Sequence, residues 1–159
     1  MPNLPSAVGL GVTALKHNSK CTAKDIKNVV KILNKIGTTI ILKDEKKFDS
    51  ITAISGSGPA FFALYYDAVL KFCTKSGFSK KISENIASQT IKGALEFLNI
   101  SKIMPDNFIQ MISSKGGTTE EGIKSLIKLG FKKTVNIAHK KAERKSKLIS
   151  DKVSSIIKK

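Results

Sequence analysis

Residues 114–119 (SKGGTT) combine the features of an anion-binding turn. The paired glycines leave backbone N–H groups unobstructed, and the helix predicted after them directs its positive end at the same point. Successive N–H donors at a helix N-terminus suit a carboxylate or a phosphate. Thr118 and Glu121 have the spacing of a capping box that would begin this helix, and Thr119 adds a hydroxyl in its first turn. The alternative is a flexible Gly-Gly connector whose threonines only cap the helix.

A second glycine-containing run, residues 55–59 (SGSGP), predicts no chemistry of its own. The nucleophile elbow of hydrolases needs a glycine two positions on either side of its serine, and Ser55 stands where the first glycine should be. We therefore expect a tight turn that lets two backbones approach closely.

The cysteines and histidines predict neither a metal site nor a catalytic triad. Cys21 and Cys73 lie far apart, with no Cys-x-x-Cys pair and no histidine at ligand spacing. His17 and His139 have no neighbouring acid or cysteine in the sequence. Two free thiols are typical of a cytosolic protein.

Lysine dominates the charge of the chain. The formal net charge is +16, and Arg144 is the single arginine. A strongly basic balance raises nucleic acid as a partner, but recognition of bases and phosphates favours the bidentate fork of arginine. We expect a solvated, lysine-rich surface, and we do not expect a specific nucleic-acid partner.

Neither a membrane segment nor a secretory signal is expected. The longest apolar stretch, residues 60–66, is too short to span a bilayer. The first residues (MPNLP) lack the basic start and apolar core of a signal peptide. The expected location is therefore the cytoplasm.

The elements predicted around these residues define a mainly α chain of two parts. Residues 1–46 predict a strand, a helix and a second strand, and the helix is capped by Thr22 and Asp25 and closed by Gly37. This order indicates the end of a larger α/β domain. Residues 47–159 predict an all-α domain, in which Ser79 can cap one helix and Pro105 begins another. Two strands and one helix cannot bury their apolar faces alone. We therefore interpret residues 1–46 as the remnant of a larger α/β domain.

One predicted helix, from Pro59 to Cys73, carries apolar residues on almost every face. A helix of this kind is typical of burial on all sides. In a domain this small, it indicates a central helix or a helix covered in an oligomer, and we expect a homodimer or a higher homo-oligomer.

Taken together, the chain resembles pyrroline-5-carboxylate reductases over roughly residues 1–150. The matching stretches are residues 1–5 (MPNLP), 51–60 (ITAISGSGPA), 89–93 (QTIKG), 114–119 (SKGGTT), 130–131 (GF) and 144–146 (RKS). The resemblance implies an all-α dimerisation domain, preceded by the last part of a Rossmann domain that binds NAD or NADP. It also implies reduction of 1-pyrroline-5-carboxylate to proline, with NAD(P)H as the hydride donor.

The same resemblance implies roles for particular residues. Backbone N–H groups of Ser114, Gly116, Gly117 and Thr118 would hold the substrate carboxylate, and Thr119 would be the catalytic residue that hydrogen-bonds the ring nitrogen. Pro2 and Asn3 would lie near the nicotinamide of the cofactor.

The chain departs from the family pattern in several respects, which include Lys102 where some members carry a glutamate and Leu4 in place of a common threonine. The glycine-rich strand-turn-helix of the dinucleotide site has no counterpart in this sequence, and Lys115 stands where a proline is usual. Three interpretations follow: half of an enzyme completed by a separate Rossmann polypeptide, a non-catalytic remnant that only dimerises, or a basic nucleic-acid-binding protein.

Overall fold

The computed structural model describes residues 1–157 and confirms a mainly helical chain with a small α/β segment near its N-terminus. The strands are Gly11–Leu15 (β1) and Gly37–Ile41 (β2). The helices of the described part are Ala23–Leu33 (α1), Lys47–Ile51 (α2), Gly58–Lys75 (α3), Lys80–Ser101 (α4), Pro105–Ile112 (α5), Thr118–Lys128 (α6) and Phe131–Ile157 (α7). A 3₁₀ turn (Leu4–Val8) precedes β1, and a π-helical turn (Thr52–Gly56) joins α2 to α3.

The chain divides into two compact units. One contains Met1–Phe61 together with the chain from Asn136 onward, and the other contains Phe62–Val135. The sequence-based boundary between residues 46 and 47 stays a prediction.

Within the first unit, β1 and β2 pair in parallel, from Gly11 opposite Gly37 to Leu15 opposite Ile41. Parallel strands need a crossover, which α1 supplies. The predicted capping box of α1 is confirmed, since Thr22 and Asp25 exchange side-chain and backbone hydrogen bonds.

The predicted end of α1 at Gly37 was wrong. The helix ends at Leu33, and Gly37 instead begins β2 with a φ of 142°. A Cβ at Gly37 would overlap the backbone of Gly11. The glycine is therefore required by the close pairing of the two strands and not by a helix terminus.

The run of residues 55–59 also differs from the prediction, because it forms no tight turn between approaching backbones. It completes the π-helical turn and continues directly into α3. Ideal Cβ positions at Gly56 and Gly58 meet nothing closer than a Thr52 methyl at 3.7 Å. The glycines here do not serve a close backbone contact within the chain.

Two serine–carboxylate hydrogen bonds attach α2 to the long helix α7. Ser146 Oγ donates to Asp49 Oδ1 at 2.7 Å, and the Ser50 hydroxyl donates to the Glu143 carboxylate. These partners are more than ninety residues apart in sequence, so the pairs join the two ends of the first unit.

Two helices of the second unit begin where the sequence signals place them. Ser79 caps α4 by accepting from the Ile82 N–H, and Pro105 begins α5 as predicted. The rings of Phe97 on α4 and Phe108 on α5 stack with centroids 5.1 Å apart. This aromatic pair fixes α5, the helix that leads into the glycine-rich turn.

Much apolar surface is left open in the single chain. Leu64 and Phe72 on α3 are 72% and 73% exposed, and Cys73 is the buried residue of that helix. The predicted burial of this helix on all sides is therefore absent within one chain. Exposed apolar surface of this extent marks an interaction site.

Candidate functional site

The glycine-rich turn lies between α5 and α6, over residues 113–117. Gly116 has a left-handed φ of 73°, and the Gly117 N–H donates to the Ser114 carbonyl at 2.9 Å, which closes the turn. A Cβ at Gly117 would overlap Ser114 Oγ and come within 3.0 Å of the Ser114 carbonyl oxygen. Both glycines are therefore required, Gly116 for its backbone angle and Gly117 for space.

The turn leaves some of the predicted N–H donors open and occupies others. The Gly117 N–H is used within the turn, and the Gly116 N–H donates to Glu120 Oε2 at 2.6 Å. Within residues 1–157, the N–H groups of Ser114, Thr118 and Thr119 have no hydrogen-bond partner. Open donors at the start of a helix attract an anion because the helix dipole adds to them.

The predicted capping box of Thr118 and Glu121 was wrong. The N-cap of α6 is Gly117, and no side chain caps it. Thr118 is already the first helical residue, so its hydroxyl lies past the position from which a side chain caps. Glu120, and not Glu121, reaches back to the turn.

Glu120 is the residue of this site that sequence reasoning missed. The Gly116 N–H, and then Lys124 on the next helical turn, hold the pKa of the Glu120 carboxyl below its ordinary value. Lys124 Nζ lies 3.3 Å from Glu120 Oε1 and 2.9 Å from Glu121 Oε1. A signal for this contact was present, since an acid three residues after a helix N-cap commonly reaches back to the turn.

Two hydroxyls of the loop are without partners in the described part of the chain. The half-buried Thr119 side chain makes no hydrogen bond, and the enclosed Ser113 Oγ makes none either. Enclosed polar atoms normally have a protein, water or ligand partner. The Thr119 hydroxyl therefore accompanies the open N–H group of the same residue, whereas Ser113 Oγ is enclosed.

Asn3, expected near a nicotinamide, has structural partners for both ends of its amide. Nδ2 donates to the Ser55 carbonyl, and Oδ1 accepts from the Val12 N–H, each at 2.8 Å. Pro2 precedes it in extended chain before the 3₁₀ turn. These residues belong to the first unit and the glycine-rich turn to the second, and cofactor contact by Pro2 and Asn3 stays a prediction.

The turn between β1 and α1 does not fit the pyrophosphate of a dinucleotide. A Rossmann site places a glycine-rich turn before a helix N-terminus, where a pyrophosphate binds. The turn before α1 has no glycine, and the capping box already occupies the N–H groups of Thr22 and Asp25. The Asp25 carboxylate would repel a phosphate at that point.

The remaining candidates form no catalytic cluster. The rings of Phe61 and His139 meet edge to face with centroids 5.1 Å apart, and Cys21 is exposed while Cys73 is buried. Among residues 1–157, no three histidine, cysteine or acidic side chains come together as metal ligands. In the same range, no helix combines the length and apolar character needed to cross a bilayer.

The fold and the turn together define a class of protein: a helical domain with an open apolar surface and a glycine-rich loop with open N–H groups, preceded by a small α/β segment. Residues 45–149 match the family described as pyrroline-5-carboxylate reductase dimerisation. The chain belongs to this family, which confirms the resemblance found in the sequence.

Whole-chain comparisons agree with the family match. Pyrroline-5-carboxylate reductases of Aquifex aeolicus and Pseudomonas aeruginosa are 37% and 33% identical over 92% of this chain. The crystal structure of the Plasmodium falciparum enzyme with NADP bound is 38% identical over 93% of the chain, with a TM-score of 0.87. A Streptococcus pyogenes enzyme structure reaches the same TM-score at 34% identity over 92% of the chain.

Coverage of these relatives is partial. The chain spans 55% and 54% of the Aquifex and Pseudomonas enzymes, and 60% of the Plasmodium chain. The matched part contains the dimerisation region, so the complete reaction of those enzymes does not transfer to this chain by similarity alone.

Proposed function

We propose that this chain forms the substrate-carboxylate site and the dimerisation surface of a pyrroline-5-carboxylate reductase. The observation that carries the proposal is the open first turn of α6, where the Thr118 and Thr119 N–H groups and the Thr119 hydroxyl lie together without partners among residues 1–157. A cyclic amino-acid-like substrate presents a carboxylate and a ring nitrogen side by side, which matches these two kinds of group.

In this proposal each part of the loop has one role. The open N–H groups of Ser114 and Thr118 orient the carboxylate. The N–H groups of Gly116 and Gly117 join them when their present hydrogen bonds open, and the dipole of α6 favours the negative charge of the carboxylate. Thr119 hydrogen-bonds the ring nitrogen and so fixes the orientation of the C=N bond. Gly116 and Gly117 keep the approach free of side chains.

Most of the nicotinamide cofactor is proposed to bind to protein outside the described residues, with Pro2 and Asn3 as the contacts that this chain contributes. The Plasmodium relative holds NADP, whereas the turn before α1 here is closed by its own capping box. A Rossmann domain, in the same polypeptide or a separate one, is the partner that fits this arrangement. The cytoplasmic location expected from the sequence stays a prediction.

Self-association is the second part of the proposal. Leu64 and Phe72 leave α3 largely uncovered, and an apolar groove between α5 and α6 is lined by Ile109, Ile123 and Leu126. Both features belong to the second unit, within the region that matches the dimerisation family. A second copy of the chain covering them would supply the burial that the helix pattern predicts.

Titration with L-proline, followed by backbone amide NMR, tests the site. We expect shifts confined to residues 113–121 and an affinity no tighter than about millimolar, because contacts open to water are weak. Gly117→Val should abolish the shifts by filling the turn. Gly122→Val is the matched control, since a Cβ there meets nothing within 4 Å. If proline at tens of millimolar moves no amide in this loop, the remnant interpretation is favoured.

A further inference from the structure

Glu120 already places a carboxylate where the proposed function places that of the substrate. Its Oε2 accepts from the Gly116 N–H at 2.6 Å, and its Oε1 lies 3.3 Å from Lys124 Nζ. The side chain is about a third exposed, at 31%. Gly116 is one of the donors predicted for the ligand, so one donor is occupied before any ligand arrives.

We propose that Glu120 is an internal competitor that lowers the affinity of this site for every carboxylate, so that only a ligand with a second recognition group binds appreciably. The inference rests on the proposed function. One N–H cannot serve two carboxylates at full strength, and two like charges at one turn repel each other. A ligand carboxylate must therefore displace Glu120 from Gly116 to use the complete turn.

Lys124 gives the displaced side chain a second partner. It lies one helical turn after Glu120 and contacts it as an i,i+4 pair. Glu120 can rotate from the turn toward solvent and keep this contact, so the exchange does not leave an isolated charge. The state in which Glu120 contacts Gly116 and the state in which Glu120 has rotated toward solvent therefore differ mainly by the Gly116 hydrogen bond.

The competition has a consequence for ligand choice. Displacement of Glu120 lowers the affinity of every carboxylate by the same factor. A simple carboxylate such as acetate recovers nothing, whereas a cyclic amino acid also gains the contact to Thr119. Glu120 thus weakens the binding of every carboxylate equally, and the preference for a cyclic amino acid over small metabolite acids comes from Thr119.

The opposing interpretation is that Glu120 only stabilises the turn, as a reach-back cap does. The two roles predict opposite signs when the carboxylate is removed. A stabilising cap makes the loop less ordered in Glu120→Ala and weakens ligand binding. A competitor tightens binding in the same variant.

The test compares the affinities of L-proline and acetate for the purified wild-type chain and three variants by amide NMR titration. If Glu120 contacts Gly116 in about nine molecules of ten, Glu120→Ala raises the affinity for both ligands roughly tenfold. Glu120→Gln raises it by a smaller factor. Glu121→Gln is the matched control, because Glu121 has the same charge, contacts Lys124 at 2.9 Å and does not contact Gly116. The affinities of Glu121→Gln should stay within about twofold of wild type.

In the wild type, bound proline should also raise the pKa of Glu120 toward its ordinary value, which is read from the chemical shift of its carboxyl carbon.

Each other outcome overturns the inference in a recognisable way. If the wild type binds proline and both Glu120 variants bind equally or more weakly, Glu120 only supports the turn and the proposed site stands. If Glu121→Gln tightens binding as much as Glu120→Ala, the cause is general charge repulsion and not the contact between Glu120 and Gly116. If folded wild type and variants all fail to bind, the proposed function fails, and the inference fails with it.

Discussion

Asn3 Nδ2 donates a hydrogen bond to the carbonyl oxygen of Ser55 at 2.8 Å, across 52 positions of the sequence. The same side chain accepts from the Val12 N–H through Oδ1, also at 2.8 Å. One amide thus ties the start of the chain to both β1 and the π-helical turn before α3. This arrangement gives Asn3 an architectural role within the first unit, whatever its relation to a cofactor.

Asn3→Ala should therefore destabilise the protein by about 1–3 kcal/mol, because it leaves two partly buried backbone groups without partners. Urea unfolding measures the change. Asn107→Ala is the control: Asn107 is exposed and its side chain makes no hydrogen bond in the described structure, so we expect a change within about 0.5 kcal/mol. Equal stability of the two variants would contradict the architectural role.

Thr119→Val separates recognition of the ring nitrogen from recognition of the carboxylate. The substitution removes the hydroxyl at nearly constant volume. L-proline should lose affinity by roughly three- to tenfold, on the scale of one hydrogen bond. Cyclopentanecarboxylate, which has no ring nitrogen, should bind wild type and variant alike in the same NMR titration. A parallel loss for both ligands would show that Thr119 shapes the loop instead.

The purified chain alone should show no oxidation of NADPH or NADH in the presence of pyrroline-5-carboxylate. The turn before α1 is closed by its own capping box and forms no cradle for a pyrophosphate. The orientation of cofactor against substrate is what an enzyme contributes to hydride transfer. Absorbance of the reduced cofactor follows the reaction. Addition of a Rossmann polypeptide that binds the chain should start turnover. Sustained turnover without it would refute this prediction.

Leu64→Lys should reduce self-association by placing a charge on the open face of α3, where Leu64 is 72% exposed. Desolvation of an unpaired ammonium opposes a buried interface. Light scattering coupled to size-exclusion chromatography should report a dimer or larger assembly for the wild type and a smaller species for the variant. Ile32→Lys on α1, 65% exposed but outside the second unit, is the control. A wild type that is monomeric at micromolar concentration would contradict the proposal.

The lysine excess should produce only weak, sequence-indifferent binding of nucleic acid. The exposed cations of α7 include Lys140, Lys141 and Arg144, and contacts of this kind release counterions when they meet phosphates. Fluorescence anisotropy with DNA duplexes of unrelated sequence should give equal affinities that fall steeply as salt rises. Tight binding with sequence preference at physiological salt would instead support the nucleic-acid interpretation.

Local signals were sufficient for much of the fold. The capping box of Thr22 and Asp25, the cap at Ser79 and the start of α5 at Pro105 depend on residues within one helical turn of each other. Such interactions are encoded by short spacings, so the sequence predicts them directly. The family assignment followed likewise from motifs in a fixed order, and the comparisons confirmed it.

Interactions that depend on backbone geometry were not predictable in this way. The spacing of Thr118 and Glu121 matched a capping box, yet the helix begins one residue earlier than the box requires and Glu120 reaches the turn instead. A shift of one position turns a helical side chain by about 100°, so a spacing rule cannot choose between neighbouring acids.

The sequence thus specified most of the helices, the two strands and the glycine-rich turn, because each depends on contacts between near neighbours. Tertiary contacts determined that Gly37 lies against Gly11 and that Asn3 lies against Ser55. These pairs are distant in the chain, and the free energy that selects them comes from closing the strand pair and satisfying buried backbone groups. That free energy exists only once the separate elements have come together.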